Sequence, residues 1–280
     1  MPLSKLQFKP GINREGTNYS NEGGWFDGDK IRFRSGYPES IGGWQRVSND
    51  KFIGTARKIY DFVTLTSQNL LFIGTEKKTF LENAGTFSDI TPIRSTLSLG
   101  SNPVNTSGGA GSGIITVTTQ TAHGAATGDF VTFASLTTTD GITAAQLNIE
   151  HEITSIPSTT TFTVTTAGAA TSGTTAGGGS SGTAAFQIST GLNTTVLGSG
   201  WGAGTWGRFT WGSSSGSLAG QTLRLWAADN FGEDLIFNIA DGTIYYWDAT
   251  NGTSTRAVDL TTRTGASDVP VVARKVLVSD

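Results

Sequence analysis

The chain has no cysteine at all, which rules out a disulfide framework, a thiolate metal site and a thiol nucleophile in one stroke. Charge is also scarce. Lys, Arg, Asp and Glu make up 15% of the 280 residues, against a usual figure of about 25%. Net charge is −3, so the chain as a whole is not a general binder of polyanions. No apolar run approaches the ~20 residues that a membrane helix needs. Met1-Pro2-Leu3-Ser4-Lys5 lacks the apolar core of a secretory leader, so synthesis in a cytoplasm is expected. From Ser95 to Gly207 there is no Lys or Arg.

What fills the chain instead is glycine, threonine and serine. Thr has a stiff branched Cβ that suits a pleated strand, and Gly supplies turn conformations that other residues resist. The expected class is all-β with many turns. Thirteen Lys/Arg face ten Asp/Glu in residues 1–94, and six face twelve in the remainder, so the basic excess is confined to the N-terminal third.

Residues 1–51 read as an extended arm with short strands, pinned by Phe8, Tyr19, Trp25, Phe26, Phe33, Tyr37 and Trp44. Within it, strand alternation places Lys30, Arg32 and Arg34 on one face and Ile31 and Phe33 on the other. Two readings of this basic face stand open. Its cations pair with Asp27, Asp29 and Glu39 nearby, or the face docks on an acidic neighbour.

Residues 52–94 read as four short strands with tight turns, through Arg57–Leu65, Leu70–Thr75, Thr79–Glu82 and Phe87–Ile90. The pattern returns in residues 199–280. Asp234-Leu235-Ile236-Phe237 through Tyr245-Tyr246-Trp247-Asp248 matches Asn69–Asn83, and Thr222–Asp229 is the upstream partner strand. Four-stranded units of about 40 residues that end on aromatic or Trp-Asp strands are a signature of β-propeller blades. The expectation is a partial propeller that continues beyond residue 280, with Val271–Val278 starting another strand. Residues 95–198 form an inserted unit, a small β-barrel or sandwich, with a loose glycine-rich stretch at 167–183. Trp201, Trp206 and Trp211 then recur among glycines. They either plug a surface loop into the sheet or stack on sugars or a partner chain.

Catalytic groups are thin. His123 and His151 are the two histidines available for proton shuttling. His123 sits in a turn, where a local hydrogen bond is expected. Glu150, His151 and Glu152 cannot converge on a metal, because strand neighbours point to opposite faces. Asp129, Asp140, Asp229 and Asp248 are scattered, and the glycine-rich stretches carry no Walker lysine. No enzyme activity, metal or cofactor is expected.

Phe8-Lys9-Pro10-Gly11-Ile12, Gly23-Gly24-Trp25-Phe26-Asp27-Gly28-Asp29-Lys30-Ile31-Arg32-Phe33-Arg34 and Gly42-Gly43-Trp44 together resemble the opening of phage virion proteins. These are similar to the packaged-DNA stabilisation, or tail nozzle, proteins of short-tailed phages. The Trp-Gly loop at 201–212 and the strands at 222–248 fit the same resemblance. The inserted unit, with His123-Gly124, Thr127-Gly128-Asp129-Phe130-Val131-Thr132-Phe133 and Thr161-Phe162-Thr163-Val164, resembles a module of phage structural proteins. That module is similar to the first catalytic-cysteine half-domain of ubiquitin-activating enzymes, and without cysteine it implies no activity here.

The resemblance implies a virion tail protein, a homo-oligomer arranged as a hexameric ring. It would retain packaged double-stranded DNA without sequence specificity and form its exit channel. Its partners would be tail adaptor or connector proteins and tail fibres or a needle, with no membrane. Trp25, Lys30, Arg32, Arg34, Trp44, Trp201, Trp206 and Trp211 are the candidate partner contacts. A carbohydrate-binding or adhesin module is the alternative reading, resting on the three loop tryptophans; a tail-associated hydrolase is a third.

Overall fold

The computed structural model describes residues 8–17, 19–43, 45–46, 48–172, 176–189 and 225–279. The chain is all-β, built from antiparallel sheets, with one four-residue α-helix among the described residues. It divides into two compact units, Met1–Asn49 and Asp50–Asp280.

The first unit holds one hairpin, β1 (Ile31–Arg34) and β2 (Tyr37–Ser40). Arg34 faces Tyr37, so the loop is the two residues Ser35 and Gly36, both left-handed at φ 51° and 85°. That is the primed turn whose twist matches the strands it joins. Trp25 packs between Phe8 and Phe33, at 5.8 and 6.3 Å between ring centres, and pairs its backbone with Ile12.

The second unit begins with a meander of β3 (Ala56–Val63), β4 (Asn69–Thr75), β5 (Thr79–Asn83) and β6 (Thr86–Asp89). Ala84 and Gly85, at φ 49° and 91°, make another primed turn between β5 and β6. Strand alternation sends Tyr60, Phe62, Leu70, Phe72 and Leu81 to one face.

The chain then enters an eight-stranded sheet. Its strands are β7 (Ile93–Gly100), β8 (Val104–Asn105), β9 (Ile114–Thr118), β10 (Phe130–Ala134), β11 (Glu150–Ser158), β12 (Thr161–Thr165), β13 (Ala176–Gly177) and β14 (Gly182–Gln187). They lie in the order β13-β8-β9-β12-β11-β10-β14-β7, with the helix α1 (Ala144–Leu147) between β10 and β11. Leu99, Ile115, Val117, Phe133, Phe162, Val164 and Phe186 share one core, so the sheet rolls around its own apolar face. It does not close into a barrel, because no ladder among the described residues joins the edge strands β7 and β13. The glycine-rich stretch at 167–183 is ordered where described. It supplies β13 and the start of β14, and Ala170 is buried with its amide donating to Ser112 O at 2.8 Å.

A second meander follows, of β15 (Trp226–Phe231), β16 (Asp234–Ile239), β17 (Ile244–Trp247) and β18 (Val258–Asp259). The partner strand expected at Thr222–Asp229 starts at Trp226; residues 222–224 lie outside the described set. The two meanders stack face to face around one aromatic core. Phe72 meets Phe237 at 5.0 Å and Trp226 at 6.2 Å, and Phe62 meets Trp247 at 6.3 Å. First strand lies beside first strand, since the Tyr60 hydroxyl on β3 reaches Asp229 and Asn230 on β15 at 2.9 and 2.7 Å. Gly74 is glycine because Trp226 needs its space: a Cβ there would stand 2.5 Å from the indole ring. The same indole donates to Thr75 O at 2.8 Å. Among the described residues this stack of two sheets does not extend into a closed ring of blades.

Val271–Val278 forms no new strand, contrary to the expectation from its apolar run. Ala273 makes one isolated bridge to Gly242. The amides of Val276 and Val278 donate instead to the side chains of Asn238 and Asp229, at 3.0 and 2.9 Å. Those two side chains take up amide donors that would otherwise serve a strand ladder, and they tie the segment across the outward face of the second meander.

Candidate functional site

Three chain segments meet at a charged junction where the rolled sheet joins both meanders. Lys78 precedes β5, Asp89 ends β6, Glu150 opens β11, Gln187 ends β14 and Arg256 precedes β18. The Lys78 side chain is 2% exposed. Its ammonium donates to Asp89 at 2.8 Å and to Glu150, and lies 4.5 Å above the centre of the Phe130 ring. Arg256 forks onto Asp89, at 3.3 and 3.1 Å, and also reaches Thr91 O at 2.7 Å and Glu150 at 3.3 Å. Gln187 donates to Glu150 Oε2, the oxygen that Arg256 also reaches, while its own Oε1 is buried without a partner among the described residues. One pair further out, Lys77 meets Glu152 at 2.9 Å.

Burial pushes the Asp89 carboxyl up, but Lys78 and Arg256 together outweigh it and hold the group below the usual carboxylate range. Asp89 therefore stays ionised and is unsuited to donate a proton near neutral pH. With two cations spent on two carboxylates, the junction is a tie between sheets rather than a proton-transfer device.

The histidines are structural in the same sense. His123 is 3% exposed and stacks on Phe186 at 5.9 Å. Its Nδ1 accepts from the Ala125 amide at 3.0 Å, the local bond expected for it, and its Nε2 lies 3.2 Å from Ser158 O, 35 residues on. His151 enters the core against Phe133, with Nε2 3.0 Å from Leu147 O, while Glu150 and Glu152 leave on the other face toward the lysines. Among the described residues, no group of three or more His, Cys, Asp or Glu is placed to hold a metal ion.

Asp140 ties a further set of loops. It accepts from Thr106 and Thr171 hydroxyls at 2.9 Å each and from the Ser172 amide at 2.9 Å. The Ser172 hydroxyl leads these donors in holding its carboxyl down at about 2.

The basic face of the first unit is only partly as expected. Arg32 and Arg34 are exposed on β1 beside Glu39 and Tyr37, and Arg32 pairs with Glu39 at 3.1 Å. Lys30 does not share their face by strand alternation. It sits before β1 in a left-handed conformation, φ 56°, which breaks the period. Asp27 pairs with Arg14 rather than with these cations, and hydrogen bonding from Arg14 lowers its carboxyl. Trp25 is half-buried in its aromatic cluster, with Nε1 unpartnered among the described residues. Trp44, Trp201, Trp206 and Trp211 lie outside the described residues.

The junction had a legible signal. The stretch without Lys or Arg nevertheless contains Glu150 and Glu152, so any ion pair they make must borrow a cation from outside it. Lys77, Lys78 and Arg256 are those cations.

No protein-family model matches the chain, and no curated protein matches it. Among solved structures the chain is similar to phage phi92 endosialidase, at 17% identity and a TM-score of 0.28, over 78% of this chain and 31% of that one. The chain thus spans less than a third of that protein's length, and similarity at this level carries no argument about fold or activity.

Proposed function

We propose that the chain is a structural protein of a phage tail, a subunit of a ring-shaped nozzle that retains packaged DNA and lines its exit. The observation that carries the reading is the stack of two four-stranded meanders, first strand beside first strand, around a shared aromatic core. Such stacking of like sheets is the unit from which propellers are repeated. The N-terminal motifs that resemble nozzle proteins point the same way. The rolled sheet is then a guest held onto this frame by the Lys78–Glu150 junction.

In this role the protein works by position, in the virion, and needs no cofactor. Connector or adaptor proteins would sit on one side and fibres or a needle on the other. DNA would pass without sequence-specific contacts, and the acidic balance beyond residue 94 suits a channel that must not grip phosphates.

Negative-stain electron microscopy of the purified chain mixed with its tail neighbours tests the reading. Rings of uniform size are expected, with the chain detected in intact particles by mass spectrometry. A chain that is absent from particles, or that cleaves a polysaccharide, contradicts it.

A further inference from the structure

Two exposed surfaces of the chain complement each other in composition. On the second unit, the outward face of the first meander is bare along β3. Ile59 and Val63 are 59% and 56% exposed, and Leu65 in the next turn is 83% exposed. Two carboxylates lie among them, since Asp61 aligns across Leu71 with Glu82. The far side of the same face is already covered, because Phe52 packs on Phe80 and Phe87 at 6.0 and 5.3 Å. The bare part is therefore an apolar strip of one strand and its neighbour, with acidic groups set into it.

The first unit presents the converse. Arg34 faces the cross-strand Tyr37, which is 76% exposed, on the outer side of the β1–β2 hairpin. Tyr19 and Phe26 add 94% and 58% exposed rings. A unit of under 50 residues buries too little to stand alone comfortably, and exposed aromatics on it mark a surface to be covered. The charge balance agrees. Residues 1–49 hold seven Lys/Arg against five Asp/Glu, and residues 50–280 hold twelve against seventeen.

We propose that the β1–β2 hairpin of one copy docks on the bare β3–β4 face of a second copy. Arg34 meets the Asp61 and Glu82 carboxylates, and Tyr37 covers Ile59 and Val63. The two surfaces differ, so the contact is head-to-tail and each copy both gives and receives; repeated with a closing rotation, it makes a ring. The inference rests on the assembly reading above and names the surfaces that would carry it.

The test uses the full chain and two charge reversals, Arg34→Glu and Asp61→Arg, followed by sedimentation velocity. Wild type is expected to assemble. Each variant alone sets like charges against each other and is expected to associate about tenfold or more weakly. An equimolar mixture of the two restores assembly, because Glu at 34 then meets Arg at 61 and the native pair re-forms at the alternate contact. That rescue also shows that neither variant is merely misfolded. If both variants assemble like wild type, or the mixture fails to recover, the surface assignment is overturned while the assembly reading stands. If wild type stays monomeric alone, the surface assignment falls; the assembly reading falls with it only if the chain also stays monomeric with its tail neighbours present.

Discussion

Lys78→Met probes the junction with little change in volume. The ammonium it removes is buried, between two carboxylates whose side chains are 23% and 25% exposed. Removing one partner of a buried ion pair costs about 3–5 kcal/mol when the other charge is left without compensation. Here Arg256 remains on both carboxylates and water reaches them, so the cost falls below that range, to roughly 2–3 kcal/mol. For a chain of this size that corresponds to about 4–12 °C in Tm. The assay is thermal unfolding followed by circular dichroism at pH 7, in low salt and in 1 M NaCl. An exposed pair would lose most of its effect in high salt, whereas this one should keep it.

The pH dependence has a defined sign. The folded Asp89 carboxyl lies below its unfolded value of about 3.9. Its contribution is fully present above that value and is lost as pH falls through the lower folded one. The gap between wild type and Lys78→Met should therefore hold constant from about pH 5 to 8 and narrow below about pH 4. A Tm change under about 1 °C, or one that vanishes in salt, would refute the claim that the junction fastens the rolled sheet to the meanders.

Gly74→Ala should destabilise by about 1–3 kcal/mol, because the new Cβ would stand 2.5 Å from the Trp226 ring and push it from its bond to Thr75 O. Thermal unfolding and near-ultraviolet circular dichroism read both effects, and an unchanged Tm contradicts the close approach. Phe237→Ala removes the ring that Phe72, Trp226 and Tyr245 all pack against and should cost about 3–5 kcal/mol; a loss under about 1 kcal/mol would mean that the meanders do not share a core. Asp140→Asn puts an amide donor among hydroxyl and amide donors, so the Ser172 amide should exchange with deuterium faster by mass spectrometry. In wild type the carboxylate's contribution exists above the unfolded value of about 3.9 and fades as pH falls to about 2, so the same amide should loosen in strong acid.

The meanders were readable because their signals are local. Asn83-Ala84-Gly85 places left-handed residues at Ala84 and Gly85, where a two-residue turn demands them, and the flanking strands alternate cleanly. The edges of the rolled sheet were not. β8 and β13 are two residues each, Val104–Asn105 and Ala176–Gly177, too short for any period to register. β7 crosses the assumed boundary at residue 94, and only its pairing with β14, 90 residues on in chain terms, shows which sheet owns it. The helix Ala144–Leu147 has a local signal in the capping box of Thr143 and Gln146, but one turn is too short for a helical period to register. At Val271–Val278 an apolar run suggests a strand, but side chains of the neighbouring sheet take the Val276 and Val278 amides instead. Of the candidate contact residues, Arg32 and Arg34 lie exposed in β1, where alternation sets their face, whereas Lys30 precedes the strand in a left-handed conformation that alternation does not govern.

The proposed role as an assembled structural part of a phage tail is tested most directly by electron microscopy of rings reconstituted from the full chain. Closed particles are expected, in which each copy contributes its stacked meanders side by side around an open channel. A monomer of defined shape in the presence of every tail neighbour, or meanders that point away from any neighbouring copy, would contradict it.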